Sequence, residues 1–168
     1  MFVDLLRKRR SIRKFEPRAV ENEKVDKIVE AALRAPSSRG FNPWHFVVVT
    51  DPETLGNLSN AKPHGASFLK NAPLAMVVCA DPSVSDVWVE DASIASIIVH
   101  LAATDLGLGS CWIQIRKRPH ESGTSASEHI AGLFNLPENL EVESIVAIGY
   151  PAEEKNGHPE ESLQREKV

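Results

Sequence analysis

From residue 86 to residue 108 the chain carries a helical pattern that is apolar on almost every side. Ile94, Ile97, Ile98, Leu101, Ala102 and Leu106 make one face, and Ala92, Ala95, Val99 and Ala103 fill much of the remainder. A helix apolar over most of its circumference is buried on more than one side. The chain has 168 residues, and a domain of that size covers a smaller share of its surface than a large one does. Two arrangements satisfy such a helix. It lies at the centre of its own domain, or a second subunit supplies one wall. The second is the expectation, because so short a chain offers limited cover.

The other elements read as follows. Residues 2–10 form a short helix with Phe2, Leu5 and Leu6 as its apolar positions, and residues 11–20 a loop. Val25, Ile28, Val29, Ala32 and Leu33 follow the i, i+3, i+4 spacing of a one-sided helix, with Asn22 as its cap and Pro36 as its stop. Trp44–Thr50 is a strand rich in β-branched and aromatic residues. Asp51-Pro52 opens a short helix. Leu74–Ala80 (LAMVVCA) has the continuous apolar character of a strand buried on both faces. Gly107 and Gly109 end the long helix, and Ser110–Ile115 is extended. Ser125–Leu133 is a helix capped by Thr124 or Ser125, and Val142–Tyr150 a strand. Residues 151–168 form a charged tail, stable only where it docks. Helices and strands are interspersed within a single domain, which predicts an α+β or α/β class.

Apolar residues make up 42% of the chain and charged residues 25%, the balance of a soluble globular protein. The net charge is -4, which argues against a nucleic-acid partner. Ser96, His100, Thr104 and Asp105 interrupt the longest apolar segment, so a membrane span is not expected. The first ten residues lack the apolar stretch of a signal peptide, and a cytoplasmic protein is the expectation. Cys79 and Cys111 each lie in an apolar run and read as buried thiols without a disulfide or metal role.

Three segments carry chemistry. Arg9-Arg10-Ser11-Ile12-Arg13-Lys14-Phe15 gathers guanidinium groups and a hydroxyl at a helix end, the groups that bind phosphate and polar oxygens. Pro36-Ser37-Ser38-Arg39, with Asn42-Pro43-Trp44 behind it, supplies hydroxyls and an amide ahead of a strand. Leu106-Gly107-Leu108-Gly109-Ser110-Cys111-Trp112-Ile113-Gln114 carries a helix end into an extended backbone. The Gly-x-Gly turn has no strand before it and lacks the rest of a dinucleotide fingerprint, so a Rossmann unit is excluded. The histidines are scattered, and His100 reads as a satisfied interior residue. Glu90 and Asp91 fall at a helix start, where carboxylates are favoured in any case.

Taken together and in this order, these segments resemble the nitroreductase family. RRSIRKF, PSSRGFNPWHF, DASIASIIVHLAATDLGLGSCW and VAIGYPAEE are similar to its successive motifs, from about residue 2 to about residue 155. The resemblance implies a nitroreductase-like α+β fold with a mixed sheet flanked by helices, an intertwined homodimer with FMN at the subunit interface, and no protein nucleophile. It implies that Arg9, Ser11 and Arg13 hold the flavin phosphate, ribityl chain and pyrimidine edge, with Arg10 beside the phosphate and Lys155 reaching it from the tail. Pro36, Ser37 and Ser38 would come from the partner subunit, Asn42 would also bind the cofactor, and Trp112, Ile113 and Gln114 would line the ring. NADH or NADPH would deliver hydride to flavin N5 and be replaced over the same face by a small-molecule acceptor, a nitroaromatic or quinone, giving ping-pong kinetics. Many relatives carry a small residue in place of Gln114, and the tail is short. Both features motivate the alternative of a flavin-binding or sensing module without turnover.

Overall fold

The computed structural model describes all 168 residues. In chain order the elements are α1 (Phe2–Lys8), α2 (Asn22–Leu33), β1 (Trp44–Val49), α3 (Pro52–Ser59), β2 (Leu74–Ala80), α4 (Trp88–Asp105), β3 (Gly109–Gln114), α5 (Ala126–Leu133) and β4 (Glu141–Gly149). The strands form one sheet in the order β1-β2-β4-β3. Every pairing between them is antiparallel. Of the mixed sheet that the resemblance implies, only a single parallel bridge is present, Ser11 to Ser110. The class is α+β.

β2 shows why its sequence has no polar alternation. Leu74 and Met76 pack toward α2 and α4 with Ile28, Ala32, Val99 and Ala103. Ala75, Val77 and Cys79 point the other way, onto Leu55 of α3 and Ile130 of α5. A central strand covered by helices on both faces has no position to give to a polar side chain. β4 beside it repeats the pattern, with Val146 and Ile148 on one face and Ile145 and Ala147 on the other.

α4 meets only part of its expectation within one chain. Ala92, Ala95, Val99 and Ala103 are fully buried, whereas Ile94 and Ile97 remain 39% and 44% exposed. A shallow apolar groove beside them is lined by Met1, Phe2, Leu5, Ile98, Leu101 and Ala102. No helix is long and apolar enough to cross a membrane.

Several boundaries differ from the sequence reading. α1 stops at Lys8, because Arg9 turns to extended geometry (ψ 125°) and the chain runs on to pair with β3. Asn22 is the first helical residue of α2 rather than its cap. Glu21 holds the cap position, but its carboxylate is engaged by Tyr150 Oη (2.6 Å) and Arg18 (2.6 Å). Gly107, at φ 76°, turns the chain out of α4, and Gly109 already belongs to β3. Ser125 caps α5, accepting from Glu128 N while Glu128 reaches back to Ser125. The tail docks along residues 10–16, with Ala152 N donating to Lys14 O (2.9 Å) and Glu16 N to Tyr150 O (2.9 Å).

One buried carboxyl sits inside this frame. Glu143 is 3% exposed, at the β4 bulge, with Ser93 Oγ (3.3 Å) and Ser96 Oγ (3.5 Å) of α4 as its donors. Burial pushes its pKa up, against the smaller opposing effects of the serine hydroxyls and Arg116. A carboxyl with a raised folded-state pKa favours the fold below its unfolded value and loses that contribution as pH rises through the folded value. Glu143→Gln is therefore expected to stabilise the protein at pH 7, on the order of 1 kcal/mol, and to be near neutral at pH 4. Melting curves at the two pH values check this; equal shifts at both would refute it.

Candidate functional site

The segment after α1 is held in place by β3 and by the tail. Ile12 N donates to Ser110 O (2.9 Å), which bridges the segment to the free edge of the sheet. From the other side Lys155 Nζ donates to Ser11 O (2.8 Å). The Glu153 carboxylate accepts from Arg13 N (2.6 Å) and Lys14 N (3.3 Å) and pairs with Lys155 (3.0 Å). These backbone donors and the lysine hold its pKa below the ordinary value. Arg10 donates to Asn156 O.

Between the segment, the end of α4 and the tail lies a cavity of about 340 Å³. Lys8, Arg10 and Lys155 supply three cations to its wall, and Glu153 and Glu154 two carboxylates. Ile12, Leu108 and Gly109 make its apolar side. Cations converging beside an apolar wall are suited to a phosphate carried on a flat organic group.

β3 presents the other half. Side chains and backbone groups alternate along a strand. Since Ser110 O faces outward to Ile12, the N–H and C=O of Trp112 and Gln114 face outward too. Gln114 O accepts from Lys62 Nζ (2.8 Å). Burial, then the charge of Arg118, lowers the pKa of that lysine. Trp112 therefore offers backbone groups on an edge pinned at both ends, and its side chain is 38% exposed. Ile113 is only 2% exposed and packs into the core, and by the same alternation its N–H and C=O face β4. The Gln114 side chain turns back on its own strand, donating to Arg116 O (3.1 Å), and does not project from the edge.

The loop before β1 is built for shape. Arg39, Gly40 and Asn42 have positive φ. Ser37 Oγ accepts from Asn42 N (2.8 Å) and donates to Asn42 Oδ1 (2.7 Å), closing the loop on itself. Ser38 N donates to Asp91 Oδ1 (2.7 Å), and the other oxygen of this buried carboxylate accepts from Ser85 Oγ (2.8 Å). Asp91 is thus the anchor of the loop, a role that its place at a helix start did not reveal. Pro36 leads into this loop.

Within one chain the loop and the arginine segment are attached to different parts of α4. Ser38 is tied to Asp91, and Arg9 NH1 contacts His100 Nε2 (3.0 Å). The two anchors are nine positions apart, roughly 13 Å of helix. Arg9, Arg10, Ser11, Arg13 and Lys155 are gathered at one end with β3, and Pro36, Ser37, Ser38 and Asn42 lie toward the other. Sequence reasoning missed Lys8, Lys62, Asp91, His100 and Glu153 as parts of this construction.

The sequence profile of the nitroreductase family matches residues 6–62 and 56–150. An Archaeoglobus fulgidus protein, whose name couples NADH dehydrogenase with NAD(P)H nitroreductase, is 43% identical over 152 residues, covering 88% of this chain and 84% of that protein. A Thermus thermophilus NADH dehydrogenase is 30% identical over 190 residues, covering 96% and 91%. Among solved structures, an FMN-dependent nitroreductase from Clostridium difficile R20291 superposes with a TM-score of 0.97 at 49% identity, covering 99% of this chain and 96% of that one. Sequence and fold agree over nearly the whole length, and the chain belongs to the nitroreductase family.

Proposed function

We propose that this protein is an FMN-dependent oxidoreductase that works as a homodimer and takes electrons from NADH or NADPH. The observation that carries the reading is the cation-lined cavity beside the pinned, outward-facing edge of β3. A phosphate needs the first and a flat heteroaromatic ring needs the second. Lys8, Arg10 and Lys155 stand where they can neutralise a phosphate, with Arg9 and Ser11 behind them. Arg13 serves the pyrimidine edge, where a cation favours the reduced, anionic form. The outward backbone edge at Trp112 and Gln114, with Ile113 between them, lines the ring. The chemistry supplied by bound FMN is two-electron transfer from a nicotinamide to an electrophilic acceptor, a nitroaromatic or a quinone.

The rest of the pocket comes from the partner. Pro36, Ser37, Ser38 and Asn42 are held on a stiff loop away from their own chain's arginines, as a donated wall requires. The exposed Ile94, Ile97 and Phe2 supply the apolar surface for pairing, since contiguous apolar patches mark interaction sites. One open face shared in turn by donor and acceptor gives ping-pong kinetics. The reading of a flavin binder without turnover loses one of its two grounds, because the Gln114 side chain is folded back from the edge.

Purified protein is expected to be yellow, to lose its flavin absorbance rapidly on anaerobic mixing with NADH or NADPH, and to sediment as a dimer. A colourless protein that takes up no added FMN would overturn the assignment. A yellow protein that neither nicotinamide bleaches would make it a binder only.

A further inference from the structure

His100 is buried to 4% exposure in the middle of α4 and is ringed by polar groups of known direction. Arg9 NH1 lies 3.0 Å from its Nε2. A guanidinium can only donate, so Nε2 is the acceptor and the ring carries its proton on Nδ1. That proton meets Ser110 Oγ. The serine hydroxyl in turn donates toward His100 O (3.4 Å), and Ser110 O receives Ile12 N. Burial, then the positive charge of Arg9, holds the imidazole pKa down at about 4, so the ring is neutral and its acceptor lone pair is available near pH 7. Thr104, one turn further on, donates to His100 O (3.0 Å) and lines the cation-rich cavity.

Arg9 is a long side chain, and fixing it costs rotamer entropy of up to about 2 kcal/mol. Its side-chain partner, the His100 ring, is an uncharged acceptor. A carboxylate in that place would cancel the charge that a phosphate needs, whereas an imidazole orients the guanidinium and leaves its charge whole.

We propose that His100 is a positioning residue: a neutral imidazole, its Nδ1 proton received by Ser110, that holds Arg9 ready for the FMN phosphate. The proposal rests on the FMN reading given above. It assigns the histidine a role on the ligand's phosphate alone, since the ring system lies along β3.

The test is a fluorescence titration of apoprotein with FMN and, separately, with riboflavin, which lacks the phosphate. His100→Leu removes both contacts. His100→Asn keeps an amide near Ser110 but no acceptor for Arg9, and His100→Gln places an amide oxygen where Nε2 stood. The Leu and Asn variants are expected to weaken FMN binding by about tenfold, the scale of one lost charge-assisted hydrogen bond. Riboflavin affinity is expected to stay within about twofold of wild type. The Gln variant is expected to keep most of the FMN affinity. Equal weakening of FMN and riboflavin would overturn the proposal, since that is what a purely structural histidine gives. So would a Gln variant no better than Asn, or unaltered FMN binding in Leu. Should the Leu variant fail to fold, the Gln-against-Asn contrast decides alone. A wild-type protein that binds neither compound would instead overturn the FMN reading itself, and with it this one.

Discussion

Arg13→Ala is expected to weaken FMN binding by about 10- to 100-fold, the range for losing one hydrogen-bonded charge worth roughly 1.5–3 kcal/mol. The rate of flavin reduction by NADH or NADPH should fall with it, because one cation serves both the binding of the ring and the potential at its pyrimidine edge. The geometry separates this from a folding effect. The Arg13 side chain is exposed, with its guanidinium 5.9 Å from the Phe68 ring centroid. The local backbone is held independently, by Glu153 on the Arg13 and Lys14 amides. Truncating the side chain leaves those bonds in place, so the apoprotein melting temperature should hardly move. Titration of the apoprotein and a spectroscopic redox titration make the measurement. Unchanged affinity together with an unchanged flavin potential would place Arg13 outside the site.

Gly149→Ala is the second large effect, and it acts through packing. A Cβ at this position would lie 2.6 Å from Pro73 Cδ, 2.7 Å from Pro73 Cγ and 3.0 Å from a ring carbon of Phe15. The proline ring cannot rotate away, and Phe15 belongs to the segment that carries Arg9 and Arg13. Overpacking of this kind costs about 1–3 kcal/mol, a fall of roughly 3–10 °C in melting temperature for a chain of this length. Because the clash pushes on Phe15, FMN affinity should fall with stability, unlike the Arg13 variant. A variant that melts with wild type would show that Phe15 and Pro73 move aside without cost.

The contrast between these residues marks how far the sequence could be read. Elements whose signal is local were legible. The α2 stripe, the doubly buried β2, Asp51 with Pro52 at α3, and the helix after Thr124 or Ser125, capped by the latter, all appear where their residue types put them. What escaped depends on residues far apart in the chain. Asn22 lost the cap position because Glu21 is turned toward Tyr150, 129 residues away. Asp91 looked like an ordinary helix-start carboxylate until Ser38, 53 positions upstream, was found on it. His100 was read correctly as an interior histidine, yet its contact with Arg9 spans 91 residues. For Ile113 and Gln114 the strand was legible and its facing was not. Register against β4 and the bridge to Ser11 decide which groups look outward. The charged tail promised docking without saying where, and the partner strand proved to be residues 10–16.

The two anchors on α4 have a bearing on how a pair of such subunits would behave. In such a pair one rigid rod would grip, through His100, the guanidinium of its own subunit's pocket and, through Asp91, the loop lent to its neighbour's. Any tilt or slide of that rod on loading one pocket would then move the wall of the other, and the second ligand would not bind as the first did.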